Sequence, residues 1–204
     1  MRRLLPILTL VALAAVVAAW FTDQLTSGPE HGSGELSPTA DLERPVEPFE
    51  LQFGTGEPFT RADLEGDWDL VYFGYTYCPD VCPTTLQQAG RVLERLEDEG
   101  LPQPRVIFIS VDPDRDEPER LGEYVGFFHP DIRAATGERS EIDNMVDNFG
   151  AVYRLNLDEG ENYTVDHSDA IVAVDPDGIM RAALSPPHDP ERVQKRLEEL
   201  GALD

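Results

Sequence analysis

The chain reads as an α/β domain. Three observations predict this class: two apolar, strand-like runs that are each followed by a segment of helical periodicity, two short apolar runs flanking a strong turn signal, and an amphipathic segment that closes the chain.

Asp69 to Tyr75 (Asp-Leu-Val-Tyr-Phe-Gly-Tyr) is the first strand. It leads into a helix over Thr84 to Glu99, where Leu86, Ala89, Val92, Leu93 and Leu96 recur at helical spacing and Gly100 stops the run. Arg105 to Val111 is a fully buried strand, because its β-branched and aromatic residues argue against helix. Glu117 to Phe128 is helical, with Pro118 tolerated in the first turn, and Glu141 to Phe149 forms a second short helix. Ala151 to Leu157 and Tyr163 to Asp166 are short strands. Ala170 to Val174 and Ile179 to Leu184 flank Asp175-Pro176-Asp177-Gly178, a hairpin turn, and Pro190 to Leu200 is the closing helix. This order, βα, βα, hairpin and helix, matches a thioredoxin-like fold, a central mixed sheet flanked by helices.

The N-terminus predicts an appendage. Met1-Arg2-Arg3 precedes an uncharged apolar run from Leu4 to Phe21. Eighteen residues at about 1.5 Å each reach roughly 27 Å, close to one bilayer crossing. Arg2 and Arg3 before the run and Asp23 after it predict a cytoplasmic N-terminus, and Trp20 and Phe21 suit an interfacial belt. Residues 1–22 are therefore read as a single-pass anchor in a bacterial inner membrane, with the domain in the periplasm. A cleaved signal peptide ending at Val17-Ala18-Ala19 is the competing reading. No cysteine follows the run, so a lipoprotein anchor does not fit. Residues 23–48, rich in Gly, Ser, Pro, Glu and Asp, read as a flexible tether, and residues 49–204 as the domain.

The formal net charge is −24, and Lys195 is the lone lysine. Such a chain has no basic footprint for phosphates, so nucleic acid is not its partner. The acidity would attract a basic partner such as a cytochrome c, and it is also what solubility in a saline or alkaline habitat would produce.

Cys78 and Cys82 are the only cysteines, and both fall where the first strand hands over to the first helix. A helix N-terminus carries partial positive charge and unpaired N–H groups that stabilise a thiolate, the form that attacks disulfides and ligates metals. A structural staple is a poor use of the pair, because so short a loop removes little unfolded-state entropy. Disulfide exchange is the stronger rival. Against it, the spacing is Cys-x-x-x-Cys rather than Cys-x-x-Cys, and no proline precedes Ala170 to Val174. A peroxiredoxin fits less well still, since Pro79 follows Cys78 directly.

A metal would need a further donor. His31 lies in the tether. His129 ends a helix, where the dipole alone favours a cation. His188, between Pro187 and Asp189, reads as an exposed loop residue. His167 falls just before a strand whose entry faces the cysteine turn in a thioredoxin-like arrangement. Two thiolates and one imidazole form a soft, three-donor set suited to copper, Cu(I) above all; zinc would want a fourth ligand. Asp80, Asp166 and Asp169 are carboxylates placed to orient His167 or tune the thiolates.

Phe73-Gly74-Tyr75-Thr76-Tyr77-Cys78-Pro79-Asp80-Val81-Cys82-Pro83, Ser110-Val111-Asp112-Pro113-Asp114-Arg115-Asp116, Asp166-His167-Ser168 and Asp175-Pro176-Asp177-Gly178 together resemble the Sco/SenC family of copper-binding, thioredoxin-like proteins. The similarity covers roughly Phe49 to Leu200, and the single N-terminal anchor is also similar. The resemblance implies that Cys78, Cys82 and His167 bind copper, Cu(I) or Cu(II). It implies a role in building the copper centre of cytochrome c oxidase, with the copper-bearing subunit and other periplasmic copper chaperones as partners. Within that role it allows delivery of copper or reduction of target cysteines; a copper or redox sensor remains a further possibility.

Overall fold

The computed structural model describes residues 39–204, so the apolar run Leu4–Phe21 and His31 lie outside the described residues. Among the described residues no helix is long and apolar enough to cross a membrane.

The sheet is built around β4 (Asp69–Gly74), which is buried at every position. It pairs in parallel with β5 (Arg105–Ser110) on one side and antiparallel with β9 (Ile171–Val174) on the other. A strand flanked on both edges and covered on both faces has no solvated side. That is why these runs are continuously apolar rather than alternating. β6 (Ile132–Thr136) extends the parallel part, and β2 (Glu50–Phe53) and β3 (Pro58–Thr60) add an antiparallel edge. On the other side β10 (Ile179–Leu184) pairs with β9 and β1 (Thr39–Pro45) with β10, giving the eight-strand order β1-β10-β9-β4-β5-β6-β2-β3. The turn between β9 and β10 is the one expected. Asp175 Oδ1 accepts the N–H groups of Asp177 and Ile179, and Gly178 takes the positive φ of 72° that the turn requires.

Helix α1 (Val81–Glu99) buries Leu86, Ala89, Val92, Leu93 and Leu96, the predicted stripe, together with Cys82, and ends on Gly100 in the left-handed conformation. It starts three residues before the expected Thr84. Pro83 is third in the helix, where no intrahelical N–H is lost. Helices α2 (Pro118–Gly126), α3 (Arg139–Phe149) and α4 (Pro190–Glu199) occupy the expected segments. β7 (Tyr153–Asn156) and β8 (Thr164–His167) form a separate two-stranded ladder, outside the main sheet, with Tyr153 opposite His167.

The segment read as tether differs from expectation. Among the described residues, β1 brings seven that the sequence assigned to linker, Thr39–Pro45, into the sheet. β1 is an edge strand held by backbone pairing to β10, with Leu42 as its part-buried apolar contact and Val46 buried just beyond it. Its polar composition is what an edge allows, and Pro45 at its end needs no ladder donor. Arg196 pairs with Asp41, and Glu47 donates its N–H to Asn148 Oδ1 at 3.0 Å.

Candidate metal centre

The cysteine turn hangs from the end of β4. The Cys78 N–H bonds to the Tyr75 carbonyl at 3.3 Å, closing a turn that aims the Cys78 sulfur at the start of α1. There it accepts the N–H of Cys82 at 3.3 Å. Cys78 and Cys82 are both buried free thiols. Hydrogen bonding from Cys82 lowers Cys78 to about 4 against the opposing effect of burial, helped by His167 and by the N–H groups of Cys82 and Asp80. Cys82 moves the other way: burial and the neighbouring Cys78 charge push it well above the ordinary thiol range. One thiolate and one thiol therefore sit side by side.

His167 comes from the last position of β8 rather than from a loop. Its Nδ1 lies 2.8 Å from the Ser168 carbonyl, so that nitrogen carries a proton and Nε2 faces the sulfurs, 3.1 Å from Cys82 Sγ. Burial alone would lower the imidazole. The hydrogen bond to Cys78, the Ser168 carbonyl and the Asp169 charge outweigh it, and the net shift is upward. The rings of Tyr75 and Tyr72 meet the imidazole edge-on at 5.8 and 6.1 Å, fixing its plane.

The donor atoms of Cys78, Cys82 and His167 all lie within 4.8 Å of one another. Two soft sulfurs and an imidazole whose tautomer is already set for Nε2 ligation fit a copper ion. These are the three residues singled out in the sequence, brought together from elements 85 positions apart.

The other sequence assignments fare differently. His188 is not an exposed loop residue. It is 5 % exposed, with Nε2 3.0 Å from the Leu184 carbonyl, because the loop folds back over β10. His129 is buried beyond α2, where Nδ1 accepts the Asp131 N–H, and it takes no part in the cluster. The carboxylate of Asp166 does not orient His167. It is exposed and paired with Arg154 at 2.8 Å, because alternate residues of a strand face opposite sides, and the Ser168 carbonyl does the orienting. Asp169 acts on His167 through charge, and Asp80 reaches Cys78 through its backbone N–H rather than its side chain.

The residues that sequence reasoning missed surround this set. A Cβ on Gly74 would sit 2.8 Å from Cys82 Sγ and 2.7 Å from the Phe108 ring, so only glycine lets the sulfur approach β4. The Tyr75 hydroxyl accepts the Val165 N–H. Asp112 and Asp116, both fully buried, gather polar contacts from either side of the centre. Their burial, which the sequence does not show among so many acidic residues, makes them expensive to place unless something binds them.

Comparison with known proteins follows the same outline. A copper-bound yeast Sco1 structure superposes with a TM-score of 0.72 at 33 % identity, covering 81 % of this chain and 91 % of that one. A copper-bound ScoI from Arabidopsis thaliana gives 0.71 at 31 %, covering 76 % and 98 %. Among sequences, an SCO2-like protein of Rickettsia typhi is 35 % identical over 179 residues, 86 % of this chain and 88 % of that protein. The human mitochondrial SCO2 homolog is 40 % identical over 133 residues, 64 % of this chain and 50 % of its own length. The chain thus spans about half the length of the mitochondrial relatives it matches. The SCO1/SenC family model matches residues 37–202, nearly all of the described structure, and the chain belongs to that family.

Proposed function

We propose that this protein is a copper chaperone for the copper centre of cytochrome c oxidase, holding its cargo through Cys78, Cys82 and His167. The observation that carries the reading is the convergence of three soft donors within 4.8 Å, with one sulfur already favoured as thiolate. Copper-bound solved relatives support it. Cargo binding displaces the remaining Cys82 proton, so affinity is coupled to pH and to the redox state of the pair. Release proceeds by ligand exchange to an acceptor with more or tighter donors. The apolar run Leu4–Phe21 would keep the domain at the periplasmic face of the inner membrane, beside the oxidase subunit that receives the metal.

A second reading, thiol–disulfide reductase, draws on the same thiolate–thiol pair. In that reaction Cys78 attacks a target disulfide and Cys82 resolves the mixed disulfide. Both readings require Cys82 to lose the proton that burial holds, so it is the third donor, His167, that favours the chaperone.

The test is copper stoichiometry and affinity of the reduced full-length protein, for wild type and His167→Ala. Tight one-to-one binding that collapses in the variant is the expected result. Weak binding indifferent to His167, with disulfide exchange intact, would sink the chaperone reading.

A further inference from the structure

We infer that the loop Ser110–Asp116 is a two-ended brace that sets the distance between the cysteine turn and the histidine hairpin, with Asp116 and Asp112 as positioning residues at its two ends. The inference rests on the copper-binding reading above and adds what holds that site in register.

At one end, Asp116 is fully buried, and among the described residues no cation pairs with it. It accepts the Thr76 N–H at 2.9 Å, the Thr76 hydroxyl at 2.6 Å and the Ser110 hydroxyl at 2.6 Å. Thr76 stands two residues before Cys78, and its hydroxyl also accepts Arg120 Nε at 2.8 Å. Three donors on one buried carboxylate fix the backbone from which the first sulfur projects. Burying an unpaired carboxylate is costly, and a neutral core would be cheaper, so its presence marks a geometric requirement.

At the other end, Asp112 is also fully buried, and its two oxygens hold the entry to β8. The Tyr163 hydroxyl donates to Oδ1 at 2.5 Å, and Arg115 Nε donates to Oδ2 at 2.6 Å. Arg115 in turn donates to the Tyr163 carbonyl at 2.9 Å and lies over the Tyr163 ring, 3.5 Å from its centroid. Tyr163 immediately precedes β8, whose last residue is His167. Among the described residues the hairpin shares no strand pairing with the main sheet, so its placement falls to contacts such as these. The two ends are joined through Ser110, whose hydroxyl accepts the Asp112 N–H at 3.1 Å while donating to Asp116.

The brace makes an asymmetric prediction that a general loss of stability would not imitate. Tyr163→Phe removes the hydroxyl at the histidine end, while Thr76→Val removes the one at the cysteine end. Copper(I) affinity of the reduced full-length protein, measured by chelator competition, should fall about 10-fold in each. In reduced, metal-free protein Tyr163→Phe should move the His167 ring-proton NMR shifts and leave the Cys78 amide resonance in place, whereas Thr76→Val should move the Cys78 amide and leave the His167 ring protons in place. The same resonances moving in both variants, or no effect of either substitution, would overturn the brace. If wild type itself fails to bind copper tightly, the chaperone reading falls, and the brace is judged on metal-free protein. There the ring-proton NMR shifts of His167, set by Tyr75 and Tyr72, should move toward solvent-exposed values in Tyr163→Phe. Unchanged shifts would overturn it.

Discussion

The hydroxyl of Tyr75 accepts the backbone N–H of Val165 at 3.2 Å, so the strand that leads to the cysteines also holds the strand that ends in the histidine. Tyr75 is 2 % exposed, and Val165 sits in the middle of β8. Tyr75→Phe would keep the ring against His167 and leave a buried N–H without a partner. The expected loss is about 1–3 kcal/mol in denaturant unfolding. Copper affinity should fall with it, and a variant with wild-type stability and affinity would show that this bond is dispensable.

Gly74 marks a close approach of α1 to the sheet. Gly74→Ala forces a methyl group against Cys82 Sγ and the Phe108 ring, and neither fully buried group has room to yield. Overpacking of this kind costs about 1–3 kcal/mol, and displacement of one donor should weaken copper binding beyond what the melt alone implies. Urea melts and copper titrations of the same sample separate the two effects.

The thiols should titrate far apart in metal-free, reduced protein. With Cys78 lowered to about 4 from 9.0, one thiolate should be present by far-ultraviolet absorbance across the neutral range, and the second should not appear until well above 9.0. The folded chain then binds fewer protons at Cys78 than the unfolded chain between about 4 and 9.0. Stability from Cys78 is therefore full above the unfolded value and is lost as pH falls through about 4. Cys82 contributes with the opposite sign: its folded value is raised, so its contribution is present below 9.0 and lost as pH rises beyond it. Two thiols titrating together near 9.0 would contradict this arrangement.

A chain shortened to begin at Phe49 should be less stable and more prone to self-association than one beginning at Pro38. It lacks β1, leaving β10 as an open edge. Thermal melts and light scattering of the two shortened chains would show the difference; matched behaviour would mean that β1 adds no stability.

What the sequence disclosed follows from how each element is stabilised. β4, β5, the hairpin turn and α1 were legible because burial on both faces or a 3.6-residue stripe writes itself into residue type. The three donors were legible because Cys and His are scarce here. β1, β2 and β3 were not, since β1 and β3 lie at the two edges, β2 and β3 are only four and three residues, and such strands draw their order from a neighbour's backbone; β6 is only five residues, Ile-Arg-Ala-Ala-Thr. His188 was misplaced because nothing local shows that its loop folds over β10. The carboxylates at 112 and 116 were hidden by abundance: among 40 acidic residues, two with structural work do not stand out.

The separate ladder of β7 and β8 divides the ligand set by mounting: two sulfurs ride on the main sheet and α1, one nitrogen on a ribbon four residues long. Such a ribbon should exchange its amide hydrogens sooner than β4 or β5, because among the described residues no ladder bonds tie it to the main sheet. Under the chaperone proposal the three donors would then differ in lifetime: an acceptor engaging as the ribbon opens would meet cargo held by sulfur alone, and handover would wait on a local opening rather than on the breaking of the domain.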